Sequence, residues 1–187
     1  MHPSALEYAA TALTGADVKG RHVAEAGAYN VNGSARQAIE ALGPASYTGT
    51  DITAGPGVDQ VLDAASLHEL GKFDVVVSTE MLEHAEDWQA AMAGMIRALA
   101  PGGTLLLTTR SVGFPYHGYP SDCWRFSVDA MAAILEAAKL DVLDVRPDPD
   151  PASPGVFATA RKPDGWTWPA GARKAWAGVD GVTPMAP

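Results

Sequence analysis

Glu25, Asp51, Asp63 and Glu80 recur along the first half of this chain, each at the end of a short apolar run or just after one. Their contexts are Glu25-Ala26-Gly27, Thr50-Asp51-Ile52, Leu62-Asp63-Ala64 and Ser78-Thr79-Glu80-Met81. If each apolar run is a strand, these groups gather at strand ends, and in an open α/β sheet ligands settle outside the carboxyl ends of the strands. An ionised carboxylate there accepts stronger hydrogen bonds than a neutral group does. Two histidines add acid–base capacity. His84 follows the fourth run, where a structural hydrogen bond and an acid–base role are both open readings, and His117 lies in an aromatic stretch farther on. An imidazole with its ordinary pKa of about 6.5 can remove a proton near neutrality.

Elements of alternating type are needed to position these groups. Ser4 to Leu13 sets Leu6, Ala9, Ala10 and Leu13 at helical spacing. Arg21 to Ala26, Tyr47 to Ile52, Gln60 to Leu62 and Phe73 to Ser78 read as strands, the first weakly because of its alanines. Gly27 to Gly33 reads as a loop, after which Ser34 can cap a helix that carries Ala35, Ala38, Ile39 and Leu42 on one face. Trp88, Ala91, Met92, Met95, Ile96 and Leu99 make the clearest helical stripe, ended by Pro101-Gly102-Gly103. A strand follows at Thr104 to Thr109, and then a Pro/Gly-rich loop from Gly113 to Trp124 of the kind that covers a site. Ser127 opens a last helix, with Leu140 to Arg146 and Gly155 to Arg161 as final strands. Their connector, Pro147 to Pro154, is short enough to join an antiparallel pair.

The expected fold is therefore α/β: a Rossmann-like, mostly parallel seven-stranded sheet with helices on both faces and an antiparallel final strand. Residues 1–163 would form the domain and residues 164–187 a Trp/Pro/Gly-rich tail. The rings of Trp166, Trp168 and Trp176 in that tail need cover, on the domain itself or on a second subunit in a homodimer.

Composition narrows the partners. The 187 residues carry 22 acidic and 13 basic side chains, a net charge of -9, with no basic cluster. Such a balance disfavours nucleic acid and anionic membrane surfaces and favours a small or neutral ligand. One cysteine, Cys123, permits no internal disulfide and no cysteine-based metal centre, which fits a reducing cytoplasm. The start, Met1-His2-Pro3, has no basic and apolar leader, and no run approaches the ~20 apolar residues of a spanning helix. A cytoplasmic protein is expected.

Taken in order, the motifs resemble the class I S-adenosylmethionine-dependent methyltransferases, particularly the small domains sometimes called type 11, over about Arg21 to Lys162. The carriers are Val23-Ala24-Glu25-Ala26-Gly27, Gly49-Thr50-Asp51-Ile52, Val61-Leu62-Asp63-Ala64, the run from Phe73 through Glu80-Met81-Leu82-Glu83-His84, and Leu99-Ala100-Pro101-Gly102-Gly103-Thr104. The resemblance implies S-adenosylmethionine as cofactor. Gly27 would admit its methionine part, Glu25 would orient the loop or the amino group, and Asp51 would hold the ribose, with Ile52 as a further cofactor contact. Asp63 and Ala64 would meet the adenine, with Ser78, Thr79, Glu80 and Met81 on its other side. The usual Gly-x-Gly-x-Gly loop is replaced by Gly27-Ala28-Tyr29-Asn30-Val31-Asn32-Gly33, in which Ala28, Tyr29 and Asn32 become contact candidates. The Gly-x-Gly-x-x-Gly phosphate cradle of a dehydrogenase is absent.

The loop Phe114 to Phe126 is expected on the acceptor side, with Tyr116, His117, Trp124 and Arg125 as substrate contacts and His117 and His84 as catalytic candidates. Arg125 could orient an anion or pair with a neighbouring carboxylate. The reaction implied is metal-free methylation of an oxygen on a small metabolite or saccharide. N-methylation and a degenerate, cofactor-binding regulatory subunit are the alternatives.

Overall fold

Apolar runs with short polar connections give the alternating elements that the pattern predicts. The computed structural model describes residues 1–118 and 121–185, so Tyr119 and Pro120 of the acceptor-side loop and the last two tail residues lie outside the described residues. In chain order the elements are α1 (Pro3–Thr11), α2 (Gly15–Val18), β1 (His22–Ala26), α3 (Arg36–Glu40), β2 (Ser46–Asp51), β3 (Gln60–Val61), β4 (Phe73–Thr79), α4 (Trp88–Ala98), β5 (Leu99–Arg110), β6 (Trp124–Phe126), α5 (Val128–Ala137), β7 (Asp141–Pro147), β8 (Gly155–Arg161), α6 (Ala172–Trp176) and β9 (Val182–Pro184). Turns of 3₁₀ helix at Ala64–Leu70 and Leu82–His84 flank β4.

Seven strands form one sheet in the order β3-β2-β1-β4-β5-β8-β7. Strands β1 to β5 pair in parallel, and β8 runs antiparallel to both its neighbours, β5 and β7. The order reverses beside β1, where chain passes to β2 on one side and β4 on the other, so a crevice opens at the carboxyl ends of these strands. Both faces of the sheet are covered. Val23, Val75, Val77 and Leu106 pack toward α1, α2 and α3, while Ala24, Val76, Leu105 and Leu107 pack toward α4 and α5. Burial on both faces explains why these strands read as continuous apolar runs.

Two features differ from the pattern-based expectation. Pro101-Gly102-Gly103 ends α4 but does not delay the strand, because Leu99 already pairs with Phe73 and pairing resumes at Val75–Thr104 after a register shift. The shift lets the Pro-Gly-Gly segment bulge out, with Gly102 at φ +72°. The segment after residue 163 also has its own elements. Trp176 is 1% exposed, packs on Trp88 with ring centroids 5.9 Å apart and donates its indole N–H to the Ile134 carbonyl at 2.8 Å. Strand β9 pairs with β6 in a separate two-stranded ribbon. Elements of five and three residues are too short to show a period in sequence.

Candidate active site

The crevice holds two adjoining cavities, of about 510 and 480 Å³. Gly27, Asp51, Ile52 and His84 line both, so they are two lobes of one cleft. Glu25, Ala28, Tyr29, Asn32, Thr79, Glu80 and His117 line the first lobe, and Asp63, Ala64 and Met81 line the second. Four strand tips thus bring together most of the cofactor candidates.

Gly27 turns the chain away from β1 at φ +82°, a backbone region that side chains resist, and an added Cβ would stand 2.5 Å from the Met81 side chain. The floor of the cleft is therefore bare backbone. Asp51 accepts from the backbone N–H groups of Tyr29 at 3.3 Å and Thr53 at 3.0 Å. Two donors leave lone pairs free on a carboxylate with roughly four acceptor positions. Asp63 caps the following 3₁₀ turn by accepting from Ala65 N–H through Oδ1 at 2.8 Å, which leaves Oδ2 for the cavity. Asn32 spends its Oδ1 on the Met1 amino group.

Glu25 is buried and accepts from the Tyr47 hydroxyl at 2.8 Å. Burial pushes its carboxyl up to about 7, against smaller lowering contributions from Tyr47 and Arg36. Glu80, held at φ +55°, is likewise raised to about 7 by burial and by the Glu83 charge, although the buried Arg110 pairs with it. Arg110 also reaches Asp148 at 3.2 Å and lies over Phe114 at 4.5 Å. The hydroxyl of Thr79 is buried at the first lobe without a partner.

Two histidines also line the cleft, His84 facing both lobes and His117 the first. Both meet Glu83, which is 0% exposed: His117 Nε2 lies 3.7 Å and His84 Nε2 4.0 Å from its Oε1. Glu83 Oε2 accepts from the Thr109 hydroxyl at 2.8 Å. His84 Nδ1 bonds the Ser121 carbonyl, which can only accept, so that nitrogen carries the proton. His117 Nδ1 lies 3.0 Å from Asp122. Burial would raise Glu83, but His117, His84 and Thr109 outweigh it and hold the carboxyl below its ordinary value. Burial would lower His117, but Glu83 and Asp122 outweigh it and raise the imidazole. Asp122 is brought down to about 2 despite its burial, by Arg125 and His117.

Several candidates are not brought to the cleft. Ser78 is fully buried beside β5 and lines neither lobe. Tyr116 is 59% exposed and also lines neither. Trp124 donates its indole N–H to the Ala85 carbonyl at 3.0 Å, which pins the loop to the turn at residues 82–84. Arg125 is 2% exposed and pairs with Asp122 at 2.5 Å and with the carbonyls of Phe114 and Pro115, so of its two readings the carboxylate pair is the one formed. Of the four acceptor-side candidates, His117 alone lines the cleft. Glu83, Thr109 and Asp122 were missed as site residues. Adjacency to His84 was the available signal for Glu83, and closeness in sequence to Arg125 and His117 the signal for Asp122; Thr109 enters through a pairing 26 residues from Glu83 that spacing does not show.

Comparison with known proteins agrees with this architecture. A family model described as a methyltransferase domain matches residues 29–145, well over half of the chain. An S-adenosylmethionine-dependent methyltransferase from Mesorhizobium loti superposes with a TM-score of 0.65 at 18% identity, covering 85% of this chain and 98% of that one. The N-methyltransferase NodS from Bradyrhizobium japonicum, in complex with S-adenosyl-L-homocysteine, gives 0.56 at 17% identity, over 85% and 84% of the two chains. At such identities the likeness concerns the fold. The ubiquinone biosynthesis O-methyltransferase of Psychrobacter cryohalolentis is 30% identical over 47% of this chain and 42% of its own length, so the match spans less than half of that curated relative. With its strand order, its cleft at the strand tips and the family match across that region, the chain belongs to the methyltransferase domain family and has the fold of the S-adenosylmethionine-dependent methyltransferases it superposes on.

Proposed function

We propose that this chain binds S-adenosylmethionine across the two lobes and methylates an oxygen of a small acceptor, a metabolite or a saccharide. The observation that carries this reading is the position of Asp51, which lines both lobes with Glu25 on one side and Asp63 on the other. An adenosyl group would place its ribose hydroxyls on the free lone pairs of Asp51. Its adenine would enter the lobe of Leu62, Asp63, Ala64 and Met81, and its methionine part the lobe of Glu25, Gly27 and Glu80. The bare backbone at Gly27, the unpartnered Thr79 hydroxyl and a buried carboxyl at Glu25 suited to an ammonium group all fit such a ligand.

The cofactor supplies a methyl group already activated by its sulfonium and departs as a neutral thioether. What remains for the chain is alignment and exclusion of water, so positioning dominates the rate. His84 and His117 line the first lobe, and either could take the proton of an acceptor hydroxyl that enters it. Support for oxygen as the methylated atom comes from the curated relative, an O-methyltransferase. The acidic surface supports a neutral acceptor over nucleic acid, and among the described residues no helix is long and apolar enough to cross a membrane.

The test is transfer of isotopically labelled methyl from S-adenosylmethionine to a panel of hydroxyl and amine acceptors, catecholic and saccharide compounds included. Label in an ether product supports the reading, and label confined to amines contradicts the choice of oxygen. Nucleoside binding with no transfer to any acceptor would point to a regulatory subunit instead.

A further inference from the structure

The structure assigns a divalent transition-metal site to Glu83, His84 and His117, at the acceptor end of the cleft. Their ligating atoms lie within 4.8 Å of one another, and His84 and His117 line the first lobe. Each residue is held from behind so that one lone pair faces the common point. Thr109 occupies Glu83 Oε2 at 2.8 Å and leaves Oε1 fully buried without a hydrogen-bond partner. Asp122 takes His117 Nδ1 at 3.0 Å, and the Ser121 carbonyl takes His84 Nδ1, so both Nε2 atoms are free to bind an ion. Metal-bound histidines almost always give their second N–H to a carboxylate or a backbone carbonyl, and this cluster has one of each.

Two imidazoles and one carboxylate suit zinc, manganese, iron or cobalt in the divalent state and suit magnesium poorly, since that ion prefers oxygen donors. Metal–ligand bonds of about 2.1 Å bring adjacent donor atoms to roughly 3.0–3.5 Å, so the widest pair need close by no more than about 1–2 Å. Three protein ligands leave coordination positions open toward the cavity, as catalytic sites do. The ion would take acceptor oxygens there, and a chelating pair of neighbouring hydroxyls is the substrate class that fits. That last role rests on the methyltransfer reading; the metal site itself does not. On this assignment both histidines act as ligands in place of bases, and the proposal departs from the metal-free transfer expected from sequence.

Chelator-treated full-length protein titrated with Zn²⁺ by calorimetry, and with Co²⁺ by visible absorption, tests the site. One equivalent should bind, with a ligand-field band for Co²⁺ and little competition from millimolar Mg²⁺. Glu83→Gln and His117→Ala should each weaken binding by more than tenfold, Thr109→Val by less, and Asp51→Ala should leave metal affinity as in wild type. Circular dichroism reports folding of each variant, and His117→Ala, at a side chain about 32% exposed, carries the test if Glu83→Gln does not fold. No uptake by the wild-type protein, or uptake that His117→Ala retains, overturns the assignment. Parallel titration with S-adenosylhomocysteine separates the two readings: metal without nucleoside contradicts the methyltransfer reading alone, and nucleoside without metal contradicts the metal site alone.

Discussion

The two ends of the cleft are assembled by different means. At the cofactor end the walls come from the tips of consecutive parallel strands, β1, β2, β3 and β4, each delivering its residues within a few positions of the strand end. At the histidine end, Glu83 and His84 come from a 3₁₀ turn, His117 and Asp122 from the loop before β6, and Thr109 from β5. One end is a product of topology and the other of side-chain pairing. Residues at strand tips are positioned wherever the sheet forms, whereas the histidine end depends on a loop fixed by Arg125, by Trp124 and by the ribbon of β6 with β9.

That contrast can be broken at points of decreasing effect. Trp176→Ala removes a buried ring that joins α6 to Trp88, Trp168 and the α5 carbonyl of Ile134, and thermal or denaturant unfolding should show a loss of about 3–5 kcal/mol. If the segment after residue 163 only rests on the surface, the loss will be under about 1 kcal/mol. At the cofactor end, Gly27→Ala forces a side chain into a left-handed backbone and against Met81. It should cost about 1–3 kcal/mol of stability and weaken nucleoside binding in calorimetry, and unchanged binding would remove Gly27 from the floor of the site.

Glu25 gives the most specific effect, confined to one stretch of the pH profile. Its carboxyl is raised from 4.5 to about 7 in the fold, so between those values the folded chain binds a proton that the unfolded chain has lost. The contribution of Glu25 to stability is complete below about pH 4.5 and falls away as pH rises through 7. Glu25→Gln, which keeps an acceptor for Tyr47, should flatten that part of the profile by on the order of 1–3 kcal/mol. Parallel profiles for wild type and variant would show that Glu25 titrates as an ordinary exposed acid.

The same contrast explains what could be read from sequence. Strands with apolar runs such as Val75-Val76-Val77, separated by helices, fix both the sheet and the level at which Glu25, Asp51, Asp63 and Glu80 emerge. Periodicity therefore brings most of these residues to the cleft, while their assignment to a cofactor comes from the family resemblance. Ser78 was the exception there, because alternation along β4 turns it into the sheet interior while Thr79 reaches the cavity. At the histidine end Arg125 pairs with Asp122 three residues before it, but the contact of Thr109 on β5 with Glu83 in the 3₁₀ turn spans 26 residues of sequence. No spacing rule encodes that distance. Arg125 shows the point: as a residue type it suits an anion, and only the fold shows its charge spent on Asp122.

The central claim is that residue 51 grips the ribose of an adenosyl ligand, and calorimetric titration with S-adenosylmethionine of wild type and Asp51→Ala tests it most directly. Wild type should bind, and the variant, folded by circular dichroism, should bind about 10- to 100-fold more weakly, the loss expected for removing charge-assisted hydrogen bonds. Equal affinities, or no binding by the wild-type protein at millimolar ligand, would contradict the account.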